Sequence, residues 1–198
     1  MEEEGIKSST MELIDAVRVI YEAEVAKDTV DAALLERVLA LIPELRPDPE
    51  RPEPKQLSAC RHLSHALDLG AAGPAAPVAK ALRALAPTLT WNQNPRYNTG
   101  NRGADFMENY GWSGVGVTGS TVLDFGVLLL GPGVTYPPTS YPSEGAFLVI
   151  GGSPEWKCGD EPWARVKAGD IICRRENGAE GKRPGKEPML ALYTWLYH

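Results

Sequence analysis

Histidine is scarce in this chain: three in 198 residues, at His62, His65 and His198. A transition-metal centre built on imidazole nitrogens would need several of them in one place. His62 and His65 stand three apart on a predicted helix, but two imidazoles are an incomplete ligand set. Cysteine is equally sparse. Cys60, Cys158 and Cys173 lie far apart and are odd in number, which excludes a disulfide framework and reads as reduced thiols in a cytoplasmic protein. There is no basic stripe. The formal net charge is −6 and the pI about 5.2, which excludes nucleic acid as a partner. No apolar run reaches the roughly 18–20 residues that a membrane span needs. The opening "MEEEGIKSS" is acidic and unlike a signal peptide.

What the chain does have is helical patterning first and strand patterning afterwards. Leu13, Ile14, Val17, Ile20 and Tyr21 recur with helical period, and Ser9 with Glu12 fits a capping box ahead of them. Leu34, Leu35, Val38, Leu41 and Ile42 make a second stripe. "PELRPDPERPEP" then places five prolines among charges, which predicts a loop or linker. Residues 55–69 and the segment "APVAKALRALAP" predict two further helices.

From residue 89 the character changes. "TVLDFGVLLL", "GAFLVIGG" and "PMLALYTWLYH" are apolar, β-branched or aromatic. "WARVKAGDIICRR" predicts strand, turn, strand, with Ala168, Gly169 and Asp170 at the turn. Short strands punctuated by glycine and proline predict a sandwich or small barrel. The expected fold class is α+β: an N-terminal helical region over residues 1–88, then an antiparallel β-barrel over 89–198. A barrel of this size leaves room inside for one small ligand.

The quoted strands carry a family resemblance. "LTWNQNPRY", "TYPPTSYPSEGAFLVIGG", "AGDIICRRENGAEG" and "EPMLALYTW", between about Leu89 and Trp195, resemble the cupin-class dimethylsulfoniopropionate lyases of bacteria. The resemblance implies a cupin-like barrel behind helices and elimination of dimethyl sulfide to leave acrylate. It also implies a metal held by a His-x-His pair, a Glu four residues after the second His, and a later His, with a Tyr two beyond the Glu as base. In this sequence the His pair falls on Thr139 and Tyr141, the Glu on Gly145 beside Glu144, and the Tyr on Phe147. The later His falls on Glu180 or Gly181, according to whether the count runs from the closing strand or from Gly178. Threonine and phenol are poor metal ligands near neutral pH, since an unperturbed tyrosine titrates at about 10. The expectation is therefore no metal and no other cofactor.

Two aromatics, Tyr136 and Trp195, fall where the resemblance places the substrate pocket. Alternation along the closing strand puts Tyr193 and Tyr197 on the face of Trp195, and alternation after Phe147 puts Val149 inward with Ala146 and Leu148 outward. The expected ligand-binding residues are Tyr136, Phe147, Tyr193 and Trp195, either as a wall for a flat or cationic ligand or as rings that merely fill the barrel. The expected catalytic residues are Tyr141, Glu144 and Glu180, as acid–base and oxyanion-stabilising groups. Arg174 and Arg175 stand ready to pair with Glu180 or with an anionic ligand. Three functions follow: a metal-independent cupin that eliminates, isomerises or cyclises a small molecule; a non-catalytic binding module; or a dimethylsulfoniopropionate lyase with an atypical metal set of Tyr141, Glu144 and Glu180. The expected partner is a small molecule, with neither nucleic acid nor membrane, and self-association as a homodimer is left open.

Overall fold

The computed structural model describes residues 2–29 and 31–197; His198 lies outside them. Four helices come first: α1 (Glu2–Val25), α2 (Ala32–Leu41), α3 (Leu63–Gly70) and α4 (Ala76–Leu85). Helix α1 begins seven residues ahead of Ser9, so the expected capping box lies inside it. There the Ser8 hydroxyl donates to the Glu12 carboxylate instead, at 3.3 Å on the exposed face. Residues 55–69 enter as a loop and a 3-10 turn before α3. Two short helices that the sequence did not announce, α5 (Thr99–Arg102) and α6 (Ala104–Asn109), lead into the strands. Asn98 caps α5 by accepting from the backbone of Gly100 and Asn101.

The strands are β1 (Arg46–Pro47), β2 (Tyr110–Gly114), β3 (Val117–Thr118), β4 (Leu123–Leu130), β5 (Tyr136–Thr139), β6 (Glu144–Gly151), β7 (Glu155–Cys158), β8 (Ala164–Arg165), β9 (Ile171–Arg174), β10 (Glu180–Arg183) and β11 (Met189–Leu196). One antiparallel sheet has the order β2-β4-β11-β6-β9 and another β5-β10-β7-β8, while β1 pairs with β3. The Ala168–Asp170 turn is present, with Lys167 N–H donating to the Asp170 carboxylate. It joins strands of different sheets rather than making a hairpin.

The five-stranded sheet is buried on both faces, which is why its strands read as continuous apolar runs. Ala146, Leu148, Ile150, Leu190, Leu192, Phe125 and Val127 pack with Leu13, Val17, Tyr21 and Leu82 of the helices. Phe147, Val149, Ala191 and Tyr193 face the other way, toward Tyr136 and Trp156 of the four-stranded sheet. The expected alternation around Phe147 and along the closing strand holds. One apolar cluster spans the helices and the outer face of the large sheet; a second, aromatic cluster fills the space between the sheets.

Candidate functional site

Between the sheets lies a cavity of about 290 Å³. Tyr136, Phe147, Tyr193 and Trp195 line it, as do Tyr141 and Glu180. Two glycines make room for the rings. Gly126 pairs directly across from Tyr193, and Gly145 across from Trp195. A Cβ at either position would overlap the facing ring. Trp195 stacks on Tyr193 at 5.3 Å between ring centroids and meets Phe147 edge-on at 4.9 Å.

Glu144 does not reach the cavity. It begins β6 and its carboxylate bonds the Arg37 guanidinium of α2. Its partner on the closing strand is Leu196, which belongs to the core shared with the helices, so alternation sends Glu144 to the helix side. Glu180 points the opposite way to Gly181. Glu180 is 2% exposed and lines the cavity, whereas a Cβ at 181 would meet Trp163 and Pro138. Of the two positions where the resemblance put a histidine, the interior one is Glu180.

Lys182 is the group that reading the sequence missed. It stands two residues from Glu180 on β10, so both side chains share the interior face. Lys182 is 2% exposed, and its Nζ lies 2.9 Å from Glu180 Oε1. The two form a buried ion pair through Oε1, and Glu180 Oε2 has no hydrogen-bond partner among the described residues. Strand register surrounds the ammonium with rings. Its cross-strand neighbours are Tyr136 and Trp156, whose ring centroids lie 4.9 Å away, and Phe147 of the facing sheet lies at 4.3 Å. The register of β5 on β10 shifts between Glu180 and Lys182, so Tyr136 and Thr139 oppose residues only two apart. Burial lowers the affinity of Lys182 for its proton, while Glu180 acts to hold it and Arg174 to expel it.

Three phenols close the polar end. The hydroxyls of Tyr136 and Tyr141 are 2.7 Å apart, and Tyr97 lies 2.9 Å and 3.2 Å from them. Burial raises Tyr136, and it pushes Tyr141 up to about 12. Burial opposes ionisation of Tyr97 too. There, hydrogen bonding with the hydroxyls of Tyr136, Tyr141 and Thr139, with the Arg102 guanidinium 4.1 Å over its ring, prevails and brings it below the ordinary value. Tyr141 is thus a donor that keeps its proton, and Tyr97 is the phenol most ready to lose one. Asp124 also lines the cavity, with its carboxyl raised by burial. A lone acid inside the apolar run "VLDFGVLLL" was the available signal for it.

Arg174 is buried under Trp195, 4.3 Å from the ring, and donates twice to Ser143. Its Nε and Nη1 have no hydrogen-bond partner. Arg175 is exposed. His62 meets the Asn109 side chain and His65 is exposed.

These residues do not fit a divalent transition metal. Trp195 fills the space that a side chain at 145 would need. The Thr139 hydroxyl donates to the Pro137 carbonyl, and the Lys182 ammonium stands beside Glu180. No group of three or more His, Cys, Asp or Glu that could hold a metal occurs among the described residues. Nor is any described helix long and apolar enough to cross a membrane.

The family model described as dimethylsulfoniopropionate lyase matches residues 29–191, so the likeness reaches well into the helical half. A solved structure of the DMSP lyases RdDddP and RnDddQII is similar at 21% identity, covering 96% of this chain and 93% of that one, with a TM-score of 0.78. The DMSP lyase DddQ from Ruegeria pomeroyi DSS-3 is similar at 22% identity, covering 89% and 91%, with a TM-score of 0.67. Both likenesses extend the cupin-like fold over the helices as well as the barrel. No curated protein matches.

Proposed function

Because this chain belongs to the dimethylsulfoniopropionate lyase family, we propose that its cavity binds a small organic molecule and acts on it by proton transfer without a transition metal. The reaction class is elimination, isomerisation or cyclisation. The observation that carries this reading is the Lys182–Glu180 pair at 2.9 Å inside an aromatic cavity. A fixed ammonium supplies positive charge on the face where the resemblance implies a metal. In a water-poor site such a charge stabilises a developing oxyanion strongly.

Each residue has a part in this scheme. Glu180 is the candidate base: it lines the cavity, with Oε1 paired to Lys182 and Oε2 without a partner among the described residues. Tyr141 donates a hydrogen bond and keeps its proton, Tyr97 relays one through the phenol cluster, and Tyr193 and Trp195 hold the ligand's apolar part. The ring faces around Lys182 are already covered by its own ammonium. That disfavours a ligand cation in the same cage and favours an anionic or carbonyl oxygen there. Glu144 has no part in the scheme.

The test uses metal-stripped protein and a panel of small carboxylates and carbonyl compounds, with dimethylsulfoniopropionate among them, and detects products by mass. Turnover that survives stripping and vanishes in Glu180→Gln is the expected result. Turnover that returns only when a transition metal is added back overturns the reading. Ligand binding with no product from any member of the panel would favour the non-catalytic module.

A further inference from the structure

The acid–base scheme uses Lys182 only as a charge, yet among the described residues its amine is the one strong nucleophile lining the cavity. Lysine becomes nucleophilic when it is desolvated or placed beside another cation. Here desolvation is the larger effect, and it prevails over the Glu180 carboxylate that holds the proton. The side chain is 2% exposed within three rings, and the charge of the buried Arg174 acts against its protonation. Glu180 Oε1 stands 2.9 Å from the amine, within reach to exchange a proton with it.

We propose that Lys182 forms an imine with the carbonyl carbon of a small aldehyde or keto compound held in the cavity. This rests on the reading of the cavity as a small-molecule site. The steps balance. Lys182 passes its extra proton to Glu180, leaving a neutral amine and a carboxylic acid. The amine nitrogen attacks the carbonyl carbon, and one nitrogen proton moves to the carbonyl oxygen to give a carbinolamine. Glu180 then protonates that hydroxyl, the C–O bond breaks and water leaves. The products are an iminium on Lys182, a Glu180 carboxylate and one water. The iminium is an electron sink that activates the adjacent carbon for proton loss, which is the chemistry an elimination or isomerisation needs. The aromatic walls limit return of water to the iminium.

The full-length protein is incubated near pH 7 with glyoxylate, and separately with propionaldehyde, in the presence of cyanoborohydride, which reduces an imine to a stable amine. Peptide mass mapping then compares Lys182 with the exposed Lys167. An ordinary exposed lysine is neutral in only about four parts in ten thousand at pH 7. Lys182 should therefore be labelled at least about tenfold faster than Lys167. In Glu180→Gln, labelling at Lys182 should slow at saturating aldehyde, where loss of water limits the rate and the acid that expels it is gone. Labelling of Lys182 no faster than that of Lys167 with both compounds overturns the imine. So does labelling that is unchanged in Glu180→Gln. The acid–base reading is judged separately, by turnover of metal-stripped protein, so either can fail alone.

Discussion

The hydroxyl of Tyr21, in the first helix, lies 3.2 Å from that of Thr194, in the last strand, and both residues are fully buried. The contact joins groups 173 positions apart in the chain. It ties the helical face of the large sheet to its central strand, whose opposite face carries Tyr193 and Trp195. Tyr21→Phe should cost about 0.5–1.5 kcal/mol, the net worth of one buried hydrogen bond. Urea unfolding checks this: the midpoint should fall with the slope unchanged. The double variant with Thr194→Val should cost less than the sum of the single variants.

Tyr21, Tyr110, Tyr136 and Tyr193 all have phenols raised by burial. In the unfolded chain they ionise near 10. Above that pH the unfolded state has lost protons that the folded state keeps. Stability is therefore fully present below about pH 10 and falls as pH rises beyond it, by up to about 1.4 kcal/mol per pH unit for each such phenol. Urea midpoints measured from pH 8 to 11 should show this fall, with a shallower slope in Tyr21→Phe.

Tyr97 should be the first phenol of its cluster to ionise. Phenolate absorbance followed against pH should show an early-titrating group that disappears in Tyr97→Phe. In Tyr136→Phe it should move to higher pH, because a hydrogen bond that holds the phenolate is lost. A titration unchanged by either substitution would mean that the cluster does not single out Tyr97.

Glu144 and Glu180 separate by role. Glu144→Gln weakens a partly exposed pair with Arg37 and should cost no more than about 1 kcal/mol, leaving turnover intact. Glu180→Gln should abolish turnover while ligand affinity stays within a few-fold of the original. Turnover assays on the two variants, with thermal melts beside them, give the comparison.

Trp195→Ala should weaken ligand binding by roughly 1–3 kcal/mol through loss of a buried ring face. Gly145→Ala attacks the same ring from behind. The added methyl overlaps Trp195 and should cost about 1–3 kcal/mol of stability by overpacking. Calorimetric binding and urea unfolding distinguish the two effects.

The sequence by itself determined the helical first half, the long strands and which residues of a strand share a face. Buried strands and amphipathic helices announce themselves through apolar spacing, and spacing is a local property. The family resemblance set Phe147 and Trp195 on the cavity wall, and strand alternation then carried Val149 and Tyr193 to the same faces. Ser9 and Glu12 mark the limit of such local reading, since the same residue pair fits a helix start and a helix interior.

Only the tertiary structure decided the chemistry of the cavity. "EGKRPGK" by itself does not settle whether Glu180 faces the interior or water, since charge among glycine and proline also suits a solvated loop. Pairing of this short strand between β5 and β7 turns Glu180 and Lys182 toward Phe147, and nothing within the segment encodes that neighbour. Glu144 shows the converse. It sits in the motif, but strand alternation and an arginine from a distant helix draw it to the other side of the sheet. The ionisation of a carboxylate or an amine depends on charges and rings brought near it by folding, and those lie far away in the chain.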